Sequence, residues 1–214
     1  MVLVVPSSHE IKPRGKVPHK IYQVPYRPGL IENTFVPLEL EGSKLELLMK
    51  MSEVFAVLCE SALNSTKIFK ELEGFDLILY ASDNCGALFG ECLNIPRVEI
   101  ITNAPNTPVG FFHMIPMPVS YVPQLFLAFT DKMTLLERAV NFVAYFGGRL
   151  FMDIVFARPM NALKVKYNIK PERSFQETAG DAEMVIITAD FALEYPQPLL
   201  PGIKSVGGIR CIIL

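Results

Sequence analysis

The stretch from Phe75 to Ile101 limits the fold of this chain more than any other. Phe75 to Tyr80 is an apolar run ended by polar residues, and Cys85 to Leu93 has a helical pattern stopped by Asn94, Ile95 and Pro96. Arg97 to Ile101 then returns to strand character. Strand, helix and strand at this spacing make a βαβ unit, in which the helix carries the chain back so that the two strands lie parallel. The predicted class is therefore α/β with a parallel sheet.

The rest of the chain extends this pattern. Met1 to Val5 reads as a strand buried on both faces of a parallel sheet. Pro6 to Gly29 reads as a Pro-rich loop broken by a second strand at Ile21 to Val24. Capping-box patterns, a hydroxyl followed three residues later by Glu, occur at Ser43/Glu46, Thr134/Glu137 and Ser174/Glu177. They predict a long amphipathic helix from about Ser43 to Glu71, a second to about Phe156, and a short third one. Met184 to Thr188 is the last clear strand, followed by a Pro-rich turn and an edge strand at Ile203 to Val206. With no internal repeat or linker, the 214 residues are expected to form one domain.

Several function classes lose support. Half of the residues are hydrophobic and a fifth charged, which suits a packed core. The net charge of -2, with basic residues scattered singly, gives no nucleic-acid footprint. The four cysteines show no CxxC spacing and are too few for a disulfide framework, so buried free thiols are expected. Met1 to Val5 followed by Pro6 does not resemble a signal peptide. Ala139 to Ala157, interrupted by Arg149 and Asp153, is expected to be a poor transmembrane span, with Gly147 and Gly148 serving close helix packing or a kink. Asn64-Ser65-Thr66 is an N-glycosylation sequon, which on the exposed side of a packed helix is expected to be a chance match.

Ligands of parallel sheets bind beyond the carboxyl ends of the strands, which points to the turn Ser82 to Cys85. Asp83 there either orients a histidine or caps the following helix, and the residues alone favour the cap. A histidine base must be His9, His19 or His113. The first two lie in the Pro-rich loop region, the third in a loop between Phe112 and Met114, and none has a visible partner. No GxSxG elbow, P-loop or GxGxxG is present.

Three segments together resemble the UDP-glucuronosyltransferase family of glycosyltransferases. FDLILYASDNCGALFGECLNIP (75–96) is similar to the family's strand, acidic turn, Cys and helix ending in IP. PVSYVPQLFLAFTDKMTLLERAVNF (118–142) carries SYVP, then TD-x-MT-x-x-ER-x-x-N. ADFALEYPQPLLPGIKSVGG (189–208) resembles the stretch closing the family's N-terminal domain.

The resemblance implies a Rossmann-like parallel sheet with helices on both faces, forming an incomplete N-terminal, acceptor-binding half of a GT-B fold. It implies an inverting, metal-free transfer from a UDP-sugar donor to a hydroxyl of a small lipophilic acceptor, with no cofactor, in the lumen or membrane of the endoplasmic reticulum. Asp83 takes the place of the aspartate that orients and charges the base. If Met1 to Ser8 matches the family's first strand, His9 is the base. If it matches the second, the base lies upstream of Met1. The stretch Lys12-Pro13-Arg14-Gly15 with Pro18, in which the two prolines and the glycine break a helix, favours the latter. The UDP-sugar is expected to bind only with a domain beyond Leu214, leaving this chain inactive alone. The other reading is a non-enzymatic truncated domain that binds apolar ligands or forms homo- or hetero-oligomers with related transferases.

Overall fold

The structure is a computed structural model that describes residues 1–8, 17–29, 31–40, 42–81, 85–102, 107–192 and 194–207. The chain divides into two units, Met1–Phe75 and Asp76–Leu214.

In the first unit, β1 (Leu3–Pro6) and β2 (His19–Tyr22) pair in parallel, with Leu3 opposite His19. His19 is thus a strand residue, not part of the expected loop. A π-helical turn (Ile31–Phe35) and α1 (Val36–Leu40) lead into α2 (Lys44–Leu63). The helix expected to reach Glu71 is broken at Asn64 and Ser65 and resumes as α3 (Thr66–Leu72). Ser65 is extended, and its hydroxyl accepts from the Ile68 N–H at 3.4 Å, so a new cap starts a new helix. The Ser43 side chain makes no capping bond, because a pattern of residue types does not fix the rotamer that carries a hydroxyl to an amide. Lys20 of β2 pairs with Glu71 of α3 at 3.1 Å.

The second unit contains β3 (Ile78–Ala81), α4 (Cys85–Leu93), β4 (Arg97–Ile101), α5 (Thr107–His113) and α6 (Leu135–Met152). A π-helical turn at Asp153–Ala157 joins α6 to α7 (Arg158–Lys166). Then come α8 (Phe175–Gly180), β5 (Met184–Ile187) and β6 (Ile203–Ser205). The sheet order is β3-β4-β5-β6 with every pair parallel. The βαβ expectation holds, and α4 and β4 fall on the predicted residues. Alternate residues of β4 are buried, and Ile101 packs with Ile115, Val185, Ile187, Ala189 and Ile203 in the core.

Thr134 and Ser174 both form complete capping boxes with Glu137 and Glu177. The Thr134 backbone N–H and then its hydroxyl hold the Glu137 carboxyl below the usual glutamate range, and the Ser174 hydroxyl and then backbone N–H do so for Glu177. A carboxyl depressed on folding contributes stability above its unfolded value, and that contribution is lost as pH falls through the folded value. Carbon-detected NMR titration is therefore expected to show both groups protonating below the usual glutamate range. T134A and S174A remove only the hydroxyl and keep the backbone N–H, so each should raise its own partner part of the way, the larger rise falling on Glu177, for which the hydroxyl is the first cause.

Residues 135–166 form one helical stretch of 32 residues, long and apolar enough by length and composition to cross a membrane. It contains the stretch Ala139–Ala157, read from the sequence as a poor span. Its inner side buries Asn141, Met152 and Phe156, while Leu136, Val140, Val143, Phe146, Leu150 and Ile154 form an outward apolar stripe at helical spacing. Val143 is 70 % exposed. Among the described residues a Cβ at Gly147 would meet nothing within 4 Å, so no close packing with them requires that glycine.

Candidate functional site

Asp83 and His9 lie outside the described residues. The structure does describe the frame of the turn that carries Asp83, between Ala81 at the end of β3 and Cys85 at the start of α4. That frame is tight. A Cβ at Gly86 would lie 2.3 Å from both Cβ and Cγ of Tyr80, so only glycine lets the first turn of α4 close onto β3. At the other end of α4 a Cβ on Gly90 would lie 2.2 Å from Arg97 Cδ. Arg97 is buried and donates to the carbonyl of Ala87 at 2.7 Å and to that of Asp181 at 3.1 Å.

Tyr80 and Glu99 sit opposite each other in register, and the Tyr80 hydroxyl donates to Glu99 Oε2 at 2.9 Å. His113 Nε2 lies 3.0 Å from the same oxygen. His113 is therefore not a loop residue: it ends α5, is buried, and has a carboxylate partner. A base must reach the proton it removes, whereas this imidazole is 5 % exposed and holds α5 to the middle of the sheet. Sequence reasoning missed Glu99 because a glutamate in an apolar strand reads as an outward position.

A second polar cluster fixes α4 from behind. Lys164 of α7 donates to Glu91 of α4 and to the Thr178 hydroxyl of α8, and that hydroxyl donates to Glu91 Oε2 at 2.7 Å. Arg173 reaches the other Glu91 oxygen at 3.3 Å and Asp181 at 3.1 Å. Glu91 and Lys164 side chains are each 1 % exposed, so each charge depends on the other and on the hydrogen bonds around it. Three helices are thereby locked behind the turn.

At the carboxyl end of β5 the Ser205 hydroxyl donates to the carbonyl of Ala189 at 2.7 Å, and the Ala192 N–H donates to Asp190 Oδ1 at 2.9 Å, ordering the loop there. Among the described residues, no group of three or more His, Cys, Asp or Glu side chains could hold a metal ion.

The SYVP and TD-x-MT-x-x-ER-x-x-N motif turns out to be scaffold. Thr134 and Glu137 make the α6 cap, and Arg138 Nε donates to the Met133 carbonyl at 3.1 Å. Asn141 is fully buried: its amide donates to the carbonyls of Val119 and Val122 at 2.7 and 2.8 Å, and its oxygen accepts from the Gln124 N–H at 2.7 Å. The motif's asparagine thus clamps the motif's own SYVP turn. Its place on the inner side of an amphipathic helix was the available signal.

The cysteines depart from expectation. Cys59 and Cys85 are disulfide-bonded, and Cys92 is a free thiol. Whether a cysteine pairs depends on distance in the fold, which sequence spacing does not reveal.

Residues 31–213 match the family described as UDP-glucoronosyl and UDP-glucosyl transferase. Human 2-hydroxyacylsphingosine 1-beta-galactosyltransferase is 27% identical over 209 residues, covering 92% of this chain and 38% of that protein. Human UDP-glucuronosyltransferase 1A6 is 25% identical over 228 residues, covering 99% of this chain and 42% of its own length. Human UDP-glucuronosyltransferase 1A10 is 30% identical over 178 residues, covering 79% and 33%. The chain spans about two fifths of the length of the first two relatives.

Proposed function

The chain belongs to the UDP-glycosyltransferase family, and on that premise we propose that it forms the acceptor-binding half of an inverting UDP-sugar transferase. The observation carrying this reading is the family match over 31–213, which includes the whole β3–turn–α4 frame. In the reaction a histidine takes the proton of the acceptor hydroxyl, and Asp83 orients that imidazole and stabilises its charge. The freed oxygen bonds the anomeric carbon from the face opposite UDP. The bond from that carbon to the UDP oxygen breaks, and UDP leaves with its electron pair.

The family's division of labour gives this half a small lipophilic acceptor, with the UDP-sugar held by a second domain. The disulfide-bonded state of Cys59 and Cys85 supports an oxidising compartment, the lumen of the endoplasmic reticulum.

Two measurements test the proposal. Calorimetry on this 214-residue chain should show no UDP binding, and micromolar affinity would mean that the donor site has been misplaced. In the full-length enzyme, D83N should lower kcat by about 10²–10⁴-fold with a small lipophilic hydroxyl acceptor. Unchanged kcat would remove Asp83 from the mechanism.

A further inference from the structure

Nine asparagines occur in the sequence, and only Asn64 heads an Asn-x-Ser/Thr triplet without proline, Asn64-Ser65-Thr66. The structure moves this triplet from the side of a helix to the break between α2 and α3, with Asn64 and Thr66 exposed. Leu63 and Ile68 on either side are 6 % and 1 % exposed and anchor the two helix ends.

The fold makes no use of this asparagine. Its backbone is right-handed, at φ -72° and ψ -15°, so the position does not require the left-handed tolerance that often places Asn at a helix end. Its N–H completes the last turn of α2 by bonding the Glu60 carbonyl at 2.9 Å, which any residue but proline would do. The new cap is the Ser65 hydroxyl. Among the described residues the Asn64 carboxamide makes no hydrogen bond. Five residues earlier in the same helix, Cys59 is disulfide-bonded, as a chain folded in an oxidising compartment would be.

We propose that Asn64 is an N-glycosylation site. Its Nδ2 bonds the anomeric carbon of an oligosaccharide carried on a polyprenyl diphosphate. The bond from that carbon to the diphosphate oxygen breaks, the amide gives up one proton, and the diphosphate leaves as the conjugate lipid. The glycan projects from the α2–α3 turn into solvent, where a bulky polar group meets no packed surface. This assignment is independent of the transferase reading and stands or falls separately.

The test is peptide-resolved mass spectrometry of the full-length protein from animal cells, before and after peptide-N-glycosidase F, which converts a glycosylated Asn64 to aspartate. Conversion is expected. N64Q and T66A should each lose one glycan's electrophoretic shift, while S65A should keep it. An unmodified Asn64 peptide in protein oxidised at Cys59 and Cys85 would overturn the proposal. So would protein in which those two cysteines are reduced, since it never met the glycosylating compartment.

Discussion

Replacing Lys164 with methionine should destabilise the chain by about 3–5 kcal/mol, lowering its urea midpoint far more than any surface change. The lysine and Glu91 are both sealed from water, and Thr178 bonds to each. Without the ammonium, Glu91 keeps Arg173 at 3.3 Å and the Thr178 hydroxyl, too little to offset burial of a carboxylate. The double variant E91L/K164M removes both charges and should recover most of the loss, because the larger part of the single-variant cost is the stranded charge rather than the bond. A double variant no more stable than K164M would show that the ion pair itself, not its desolvation, governs the site. Circular dichroism during urea unfolding reads all three variants in the whole chain.

Asn141 carries the second large effect. N141L removes two donors and one acceptor at a fully buried position, taking from the Val119 and Val122 carbonyls and the Gln124 N–H the bonds that Asn141 makes to them. Each stranded group costs about 1–3 kcal/mol, so a total loss of about 3 kcal/mol is a conservative expectation even with some relaxation. N141D should be no better: its carboxylate still accepts from Gln124 but faces two carbonyl oxygens with no proton to offer them. Hydrogen exchange should report early opening of the 119–124 turn in both variants. If N141D matched the wild type, the two carbonyls would have to be satisfied some other way.

How far these features were legible in the sequence follows from their range. Local chemistry read well: Pro96 and the residues before it stop α4 where expected, and the hydroxyl–Glu spacing marked the starts of α6 and α8. The same spacing failed at Ser43, where the side chain makes no cap bond. The break at Asn64 was hidden because apolar residues keep their helical rhythm on both sides, and the Ser65 cap lacks a Glu three residues on. What could not be read is what the fold brings together across long separations, His113 with Glu99 and Lys164 with Glu91. At the candidate site, the strand-end rule pointed to the turn after β3 and family resemblance gave Asp83 its proposed role, while Asp83 itself lies outside the described residues. The glycine contact with Tyr80 that frames the turn leaves no trace in residue type beyond Gly86 itself.

The lock behind α4 also sets an order of events during synthesis. Glu91 leaves the ribosome 73 residues before Lys164 and 87 before Thr178, and Arg97 precedes Asp181 by 84. Until those partners emerge, β3, α4 and β4 can form a local unit, but Glu91 must stay hydrated, and α4 cannot settle into its final seat. Contacts that close loops of this length are slow to form. The second unit is thus expected to remain loosely assembled through most of its translation and to tighten only once α8 has been made. A chain stopped short of residue 178 would be held open by its own carboxylate.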